Sequence, residues 1–525
     1  MKNYGVRVRA AVCTLLFLFI FAFNNSDAFG QDTPTAPEYK SQTVIRATTR
    51  LVVVDLVATS AKGGAVTDLK QEDFTVTENG VPQKIATFTF SKPAAHPQAV
   101  PQQLPPGVIS NFPAYKTATS FNVILLDAIN TDFSSHAYAQ DSLIKYLETN
   151  PDIQPTAVYA MQGRLLLLHD FTTDTKVLRD VVAGFKPQGP THIPTVDAAA
   201  SPFGTRGGSF HVTSQSTEVT YQSMRFIARA LAGYPGRKNL IWISEGFPFS
   251  VSAEDPLGDG SLISQDTAQA ADQIANELMN AQVALYPIDA AGVSINDRFN
   301  PRVSMVSMSS RTGGRTFYNR NDIEVGVRTS IDDGSTYYSL SYYPTDRGID
   351  AKFRRIQVKV SRPDVKLQYR EGYFALPNNP ARGESVDTAA KTFSNALLPE
   401  APNATGVLFQ AAVVQPSEKT QSKLLVNFGI DPHTVAFQRQ ADDLQHASVS
   451  CVVWAYPAGK KNPIMSESNS SNAALKPDEY TQMMKSYFPC QRALSLKPGS
   501  YNLKLGVVDR TTDMLGTMNT SVTVK

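Results

Sequence analysis

The segment Asn122–Thr131, reading N-V-I-L-L-D-A-I-N-T, constrains this chain more than any other. A short apolar run, Val123–Leu126, ends in Asp127 and opens into a polar loop, and a helical pattern follows. A buried parallel strand reads this way, because helices cover both of its faces and neither face needs polar residues. Ligands of open α/β sheets bind beyond the carboxyl ends of the strands, so Asp127 is expected where a site would be.

The same alternation continues downstream. Ala157–Met161 and Leu165–His169 flank Gln162-Gly163-Arg164 and suit a hairpin. Leu240–Ile243 leads into Ser244-Glu245-Gly246, and Ala284–Ile288 ends at Asp289. Between them the spacing predicts helices over Ser135–Leu147, Val177–Phe185, Thr217–Ala232, Ser264–Ala281, Val303–Arg311 and Asp322–Asp332, with a short strand at Thr316–Tyr318. Strands alternating with helices imply a doubly wound, mostly parallel sheet, Rossmann-like in outline. Pro187–Gly208 is a long loop rich in Pro, Gly and Thr.

On either side the period falls to two. Val44–Phe90 reads as β structure with a hairpin turn at Asn79-Gly80, and Tyr337–Tyr343, Phe353–Val360 and Val365–Tyr369 read as strands. Thr405–Lys525 is a further all-β region, with a strand predicted at Ala493–Lys497 among others; its nearest analogy is an immunoglobulin-like β-sandwich. The expected organisation is a signal peptide over 1–28, a leader over 29–43, a β segment over 44–92 and a Pro-rich linker over 93–118. An α/β domain over 119–334 follows, then a β segment over 335–376 packing with 44–92, a linker over 377–403 and a β-sandwich over 404–525. Several domains are in keeping with 525 residues.

Lys2, Arg7 and Arg9 precede the apolar run Ala10–Phe23, and small residues follow, with cleavage expected after Ala28 or Gly30. This is the pattern of a secretory signal peptide, so a secreted or periplasmic location is expected, with no membrane span once the signal is removed. In an oxidising compartment the two remaining cysteines, Cys451 and Cys490, are placed to pair within the last β region. The formal net charge of +2, with no dense basic run, argues against nucleic acid as a partner.

Several fragments carry a family resemblance: R-L-V-V-V-D-L-V-A-T from Arg50, D-L-K-Q-E-D-F-T-V-T-E-N-G-V-P-Q-K-I from Asp68, and G-R-K-N-L-I-W-I-S-E-G-F from Gly236. Y-Y-S-L-S-Y-Y-P from Tyr337, F-R-R-I-Q-V-K-V from Phe353 and Y-R-E-G-Y from Tyr369 complete the set. Together they resemble the von Willebrand factor A (VWFA) domain, and more narrowly the VWFA-related proteins of Acidobacteria. The resemblance implies a metal-ion-dependent adhesion site at the carboxyl edge of the sheet, built on D-x-S-x-S, a Thr from a later loop, and the Asp of T-D-G. Hard oxygen ligands of this kind suit Mg²⁺ or another divalent cation.

Carried onto this chain, Asp127 matches the first Asp and Thr131 the second Ser, while Glu245 stands in place of the later Asp. Ile129 occupies the position of the first Ser and offers no oxygen, so the pattern is degenerate. Asn130, Asp132 and Thr217 are candidate supporting groups, and Thr213, Thr217 and Thr220 are all candidates for the Thr position. The alternative for Asp127 is a capping role, accepting loop N–H groups without metal. Asp289 is read as a loop cap before Gly292, and the tyrosines at 337, 338, 342 and 343 as strand packing. The functional expectation is a non-enzymatic binding or cell-adhesion protein that contacts a protein partner through its sheet-edge loops. The alternatives are an envelope hydrolase drawing on His169, His192 or His211, or a structural protein with a vestigial site. No H-E-x-x-H or G-x-S-x-G motif supports catalysis.

Overall fold

The computed structural model describes residues 51–93, 97–100, 102–187, 214–248, 265–293, 299–350, 352–375, 386–466 and 470–525. The expected signal peptide and leader lie outside them, as do Thr213, His192 and His211. Apart from Gln103–Pro106, the described residues belong to one compact unit.

At its centre is a five-stranded sheet ordered Val283–Asp289, Arg237–Ser244, Ser120–Asp127, Thr156–Met161, Leu165–Thr172. The first four strands are parallel and the last is antiparallel. Every residue of Ser120–Asp127, Arg237–Ser244 and Val283–Asp289 is buried. That burial explains the unbroken apolar runs: helices pack on both faces, one core holding Val123, Leu125, Leu240 and Trp242, the other Ile124, Leu126, Ile241 and Ile243. Among the described residues six helices surround the sheet, including Phe133–Thr149, Ser214–Leu231 and Phe299–Thr312. Thr316–Tyr318 does not form a strand; a single parallel bridge joins Phe317 to Ile288.

The amino ends of these strands are polar yet buried. Asn239 Nδ2 donates to Asn122 Oδ1 at 2.8 Å. Arg237 Nη2 donates to the Tyr286 hydroxyl at 3.0 Å and to the Gly313 carbonyl at 2.8 Å. Lys238 Nζ reaches the Tyr234 carbonyl at 2.9 Å. Gly236, before them, has φ +65°, and a Cβ there would lie 2.3 Å from the Thr119 carbonyl oxygen, so glycine is required. This is what the G-R-K-N fragment does: it closes the floor of the sheet.

Against that floor lies a pair of four-stranded sheets that joins the two flanking β segments. Val52–Ser60 pairs with Tyr337–Tyr342 and Val365–Gln368, and Tyr337–Tyr342 also pairs with Ile85–Ser91. Phe353–Val360 pairs with Phe74–Glu78 in the second sheet. The tyrosines anchor this unit. Tyr337 Oη donates to the Thr119 carbonyl at 2.9 Å, tying it to the α/β sheet. Tyr342 and Tyr373 both donate to the buried Glu78 carboxylate, at 2.7 and 3.0 Å. Tyr343 alone of the four is exposed.

Two segments expected to be linkers are structured. Within 93–118, Val108–Ser110 forms an edge strand paired with Phe409–Val414 of the last domain. It fits between prolines because an edge strand needs only one row of ladder hydrogen bonds, and Asn111 locks it, donating to the Ala404 and Val407 carbonyls and accepting from Phe409 N. Within 377–403, Val386–Ala396 is a helix whose C-terminal end is buried at Ala396 and Leu397. The last domain has two sheets, with Phe488–Leu494, Leu424–Ile430 and Phe409–Val414 in one, and Gln445–Pro457, Gly499–Asp509 and Leu515–Val524 in the other. Its strand at Phe488–Leu494 begins earlier than the expected Ala493–Lys497, because the inward alternation starts with Phe488 and Cys490. A disulfide joins Cys451 and Cys490 across the two sheets.

Burial drives the pKa of Lys238 down to about 7, with Asp55 opposing the shift. Lys504, whose Nζ donates to the Ala401 carbonyl where the last domain meets the chain before it, is likewise lowered to about 7 by burial. A lysine depressed in the fold binds its proton more readily when unfolded, so stability is expected to rise with pH between about 7 and 10. Thermal unfolding of Lys238→Met across that range is expected to show a shallower rise than wild type.

Candidate functional site

Asp127 ends the central strand at the carboxyl edge, and its side chain is 1% exposed. Five donors converge on its carboxylate. Oδ1 accepts from the backbone N–H groups of Ile129 at 3.0 Å and Asn130 at 2.9 Å. Oδ2 accepts from Asn130 Nδ2 at 2.9 Å, Trp242 Nε1 at 3.0 Å and Ser244 Oγ at 2.8 Å. Burial pushes the Asp127 pKa up, and the hydrogen bonds from Asn130, Ser244 and Trp242 offset part of that rise.

The neighbouring candidates form the same network. Asn130 Nδ2 also bonds Thr220 Oγ1 at 3.0 Å, and Thr220 donates to the Ser216 carbonyl at 2.8 Å. The helix Ser214–Leu231 is thereby joined to the Asp127 loop through Thr220, and Thr217 sits partly buried in its first turn. Thr131 Oγ1 accepts from Glu245 N at 3.3 Å, and Glu245 Oε2 accepts from Asp132 N at 2.8 Å. Asp132 is the N-cap of the helix Phe133–Thr149, and its side chain makes no capping bond. The longer reach of Glu245 puts a carboxylate beside that helix start, where anionic charge is favoured.

A carboxylate has roughly four lone-pair sites, and five donors leave none of them for an ion. Ile129, half-buried, packs against the hydrophobic core and brings apolar bulk where a hydroxyl ligand is needed. Asp127 lies in one loop with Thr131, which bonds Glu245, yet in this arrangement the three do not fit Mg²⁺. Among the described residues no group of three or more His, Cys, Asp or Glu side chains could hold a metal ion. Asp289 accepts from Ala291 N at 3.0 Å, the loop-capping role expected of it. His169 stands on the edge strand Leu165–Thr172, its Nδ1 2.6 Å from the Asp170 carbonyl.

Trp242 and Ser244 are the members of this network that the sequence reading missed. A Trp inside a fully buried strand must find an acceptor for its indole N–H. Trp242 lies on the strand paired with that of Asp127, which was the available signal. Its ring also packs on Phe247, with centroids 3.9 Å apart.

The rim around this closed network is apolar and exposed. Phe133, directly after Asp132, is 71% exposed, Val293 is 58% and Tyr318 is 44%. Asn321 ties these loops together: its carbonyl accepts from the Tyr138 hydroxyl, and its Oδ1 accepts from Val293 N at 2.9 Å.

No protein-family model matches the sequence, and no curated protein matches it. Solved structures give low-scoring likenesses. Proximal thread matrix protein 1 from the mussel byssus is 8% identical with a TM-score of 0.26, over 41% of this chain and 47% of that one. This chain therefore spans about half the length of the mussel protein. A von Willebrand factor type A protein from Catenulispora acidiphila is 7% identical with a TM-score of 0.25, over 87% of this chain and 75% of that one. The vWF domain of the type V pili tip protein Mfa5 from Porphyromonas gingivalis is 11% identical with a TM-score of 0.25, over 40% and 96%. Scores this low decide nothing about what the protein binds.

Removing the Asp127 carboxylate strands five donors at once. Asp127→Ala is expected to cost roughly 3–5 kcal/mol of stability, as measured by denaturant unfolding. Asp127→Asn, which keeps the shape and one acceptor oxygen, is expected to cost less.

Proposed function

We propose that this protein is a non-enzymatic binding protein, VWFA-like in its α/β domain and akin to the VWFA-related group. It engages a protein partner through the loops at the carboxyl edge of its sheet, and it does so without a metal ion. The observation that carries this reading is the pairing of a closed polar network with an exposed apolar rim. Asp127, Asn130, Thr131 and Glu245 are engaged by neighbouring side chains and by the backbone. Phe133, next to Asp132, and Val293 and Tyr318, on the neighbouring loops, are exposed at a cost in apolar surface that a partner would offset. In this account the acidic residues hold the contact surface in shape and do not themselves bind the partner.

A secreted or periplasmic address belongs to the proposal. The Cys451–Cys490 disulfide supports it, since such bonds persist in oxidising compartments. Among the described residues no helix is long and apolar enough to cross a membrane.

The test is capture of envelope proteins by the mature chain, compared with Phe133→Asp. A charge at the rim is expected to reduce capture at least about tenfold, as for a central interface residue, while thermal stability stays within about 0.5 kcal/mol. Chelator is expected to leave capture unchanged. Capture that is indifferent to Phe133→Asp, or abolished by chelator, contradicts the proposal.

A further inference from the structure

The strand Leu515–Val524 bounds the six-stranded sheet of the last domain, and within that sheet it pairs with Gly499–Asp509 alone. Two bonds fix which way its backbone groups point. The Leu515 carbonyl accepts from Val407 N at 3.1 Å, and Thr517 N donates to the Ala404 carbonyl at 2.9 Å, so these residues turn their polar groups away from Gly499–Asp509. The register with that neighbour is unbroken from Leu515 to Val524, and the facing groups alternate along an antiparallel strand. Asn519, Ser521 and Thr523 therefore turn their N–H and C=O outward too. All three residues are exposed. The segment around Thr405 covers the edge as far as Thr517, and among the described residues no backbone group meets the outward groups beyond it.

An open row of this kind is a template for another strand, and folds ordinarily blunt it with proline, lysine, a bulge or a cover. Three other edges of the molecule are blunted. Val81–Gln83 contains Pro82. Ile85–Ser91 lies between the exposed Lys84 and Lys92, and its register shifts opposite Ser341 and Tyr342. On Leu165–Thr172, Leu167 N is taken by the Glu400 carbonyl at 2.7 Å. The stretch Met518–Val524, M-N-T-S-V-T-V, carries no charge, proline or bulge.

The row is also complementary to itself. Antiparallel pairing about a two-fold axis at Ser521 sets Ser521 opposite its own copy and Asn519 opposite Thr523, so each outward N–H meets an outward C=O. The opposed side chains are polar and uncharged, so no like charges face each other. On the inner face Val522 comes opposite Thr520. Closed two-fold symmetry uses up both edges, so the pairing ends at two copies. We infer that Asn519–Thr523 is a docking strand for a second copy of this chain, joining two six-stranded sheets edge to edge in a dimer.

Sedimentation of the mature chain over about 1–300 μM is the test, since so short a contact is expected to be weak. A reversible monomer–dimer equilibrium is expected in that range. Ser521→Pro removes an outward N–H and no bond to Gly499–Asp509, so it is expected to weaken dimerisation at least about tenfold while circular dichroism is unchanged. Ser521→Lys and Ser521→Glu each place like charges at the axis and are each expected to dimerise severalfold more weakly than wild type. Mixing these two variants is expected to restore dimerisation as a heterodimer, a readout that stands even if Ser521→Pro fails to fold. A chain monomeric throughout the range, a dimer indifferent to a folded Ser521→Pro, or a mixture no tighter than either charged variant alone overturns the assignment.

Discussion

One buried carboxylate organises the working edge of this molecule. Asp127 is delivered there by the most apolar strand of the sheet, and it cannot remain ionised in that position without compensation. The compensation comes from three directions: the turn that follows it, the indole of Trp242, and the hydroxyl of Ser244. Each of those groups belongs to an element that must be in register for the bond to form. Two adjacent strands and the Ile129–Asn130 turn are therefore fixed by a single side chain, and Asn130 passes the constraint on to the helix Ser214–Leu231 through Thr220. Glu245 extends it to the next helix by accepting from Asp132 N. Phe133, next to Asp132, inherits its position from this chain of bonds.

The opposite edge of the sheet follows the same logic with the charge reversed. Arg237 and Lys238 are buried at the strand starts and meet carbonyl and tyrosine oxygens rather than solvent. The Arg237 backbone N–H donates to the Tyr337 hydroxyl, which donates to the Thr119 carbonyl, and these bonds fasten the small β unit to the amino-end floor of the sheet. At the far side Thr405 Oγ1 bonds the Ala230 carbonyl at 2.6 Å, and Gly233 approaches so closely that a Cβ would lie 2.1 Å from the Thr405 carbonyl oxygen. The domains are joined through specific polar contacts at element ends, so the sheet edge is presented from a braced support.

Much of this was legible in the sequence, because period and burial are local signals. The parallel strands announced themselves as apolar runs, and Asn79-Gly80 announced its hairpin, with Asn79 at φ 48° and Gly80 at φ 81°. Asp127, Asn130, Thr131, Asp132 and Glu245 do come together. What the residues cannot reveal singly is how their lone pairs are shared. Trp242 and Ser244 compete for the oxygens an ion would use, and their reach depends on strand register rather than on motif spacing. The same holds for Val108–Ser110: three residues between prolines look like linker until a distant strand, Phe409–Val414, offers them an edge.

The central claim is that Asp127 is saturated by protein donors and that the sheet edge works without metal. Isothermal titration of the folded chain with Mg²⁺ and Mn²⁺ tests it most directly. The account predicts no binding heat at millimolar cation, for the wild type and for Thr131→Ala alike. A one-to-one binding isotherm in the wild type that disappears in Thr131→Ala would contradict it.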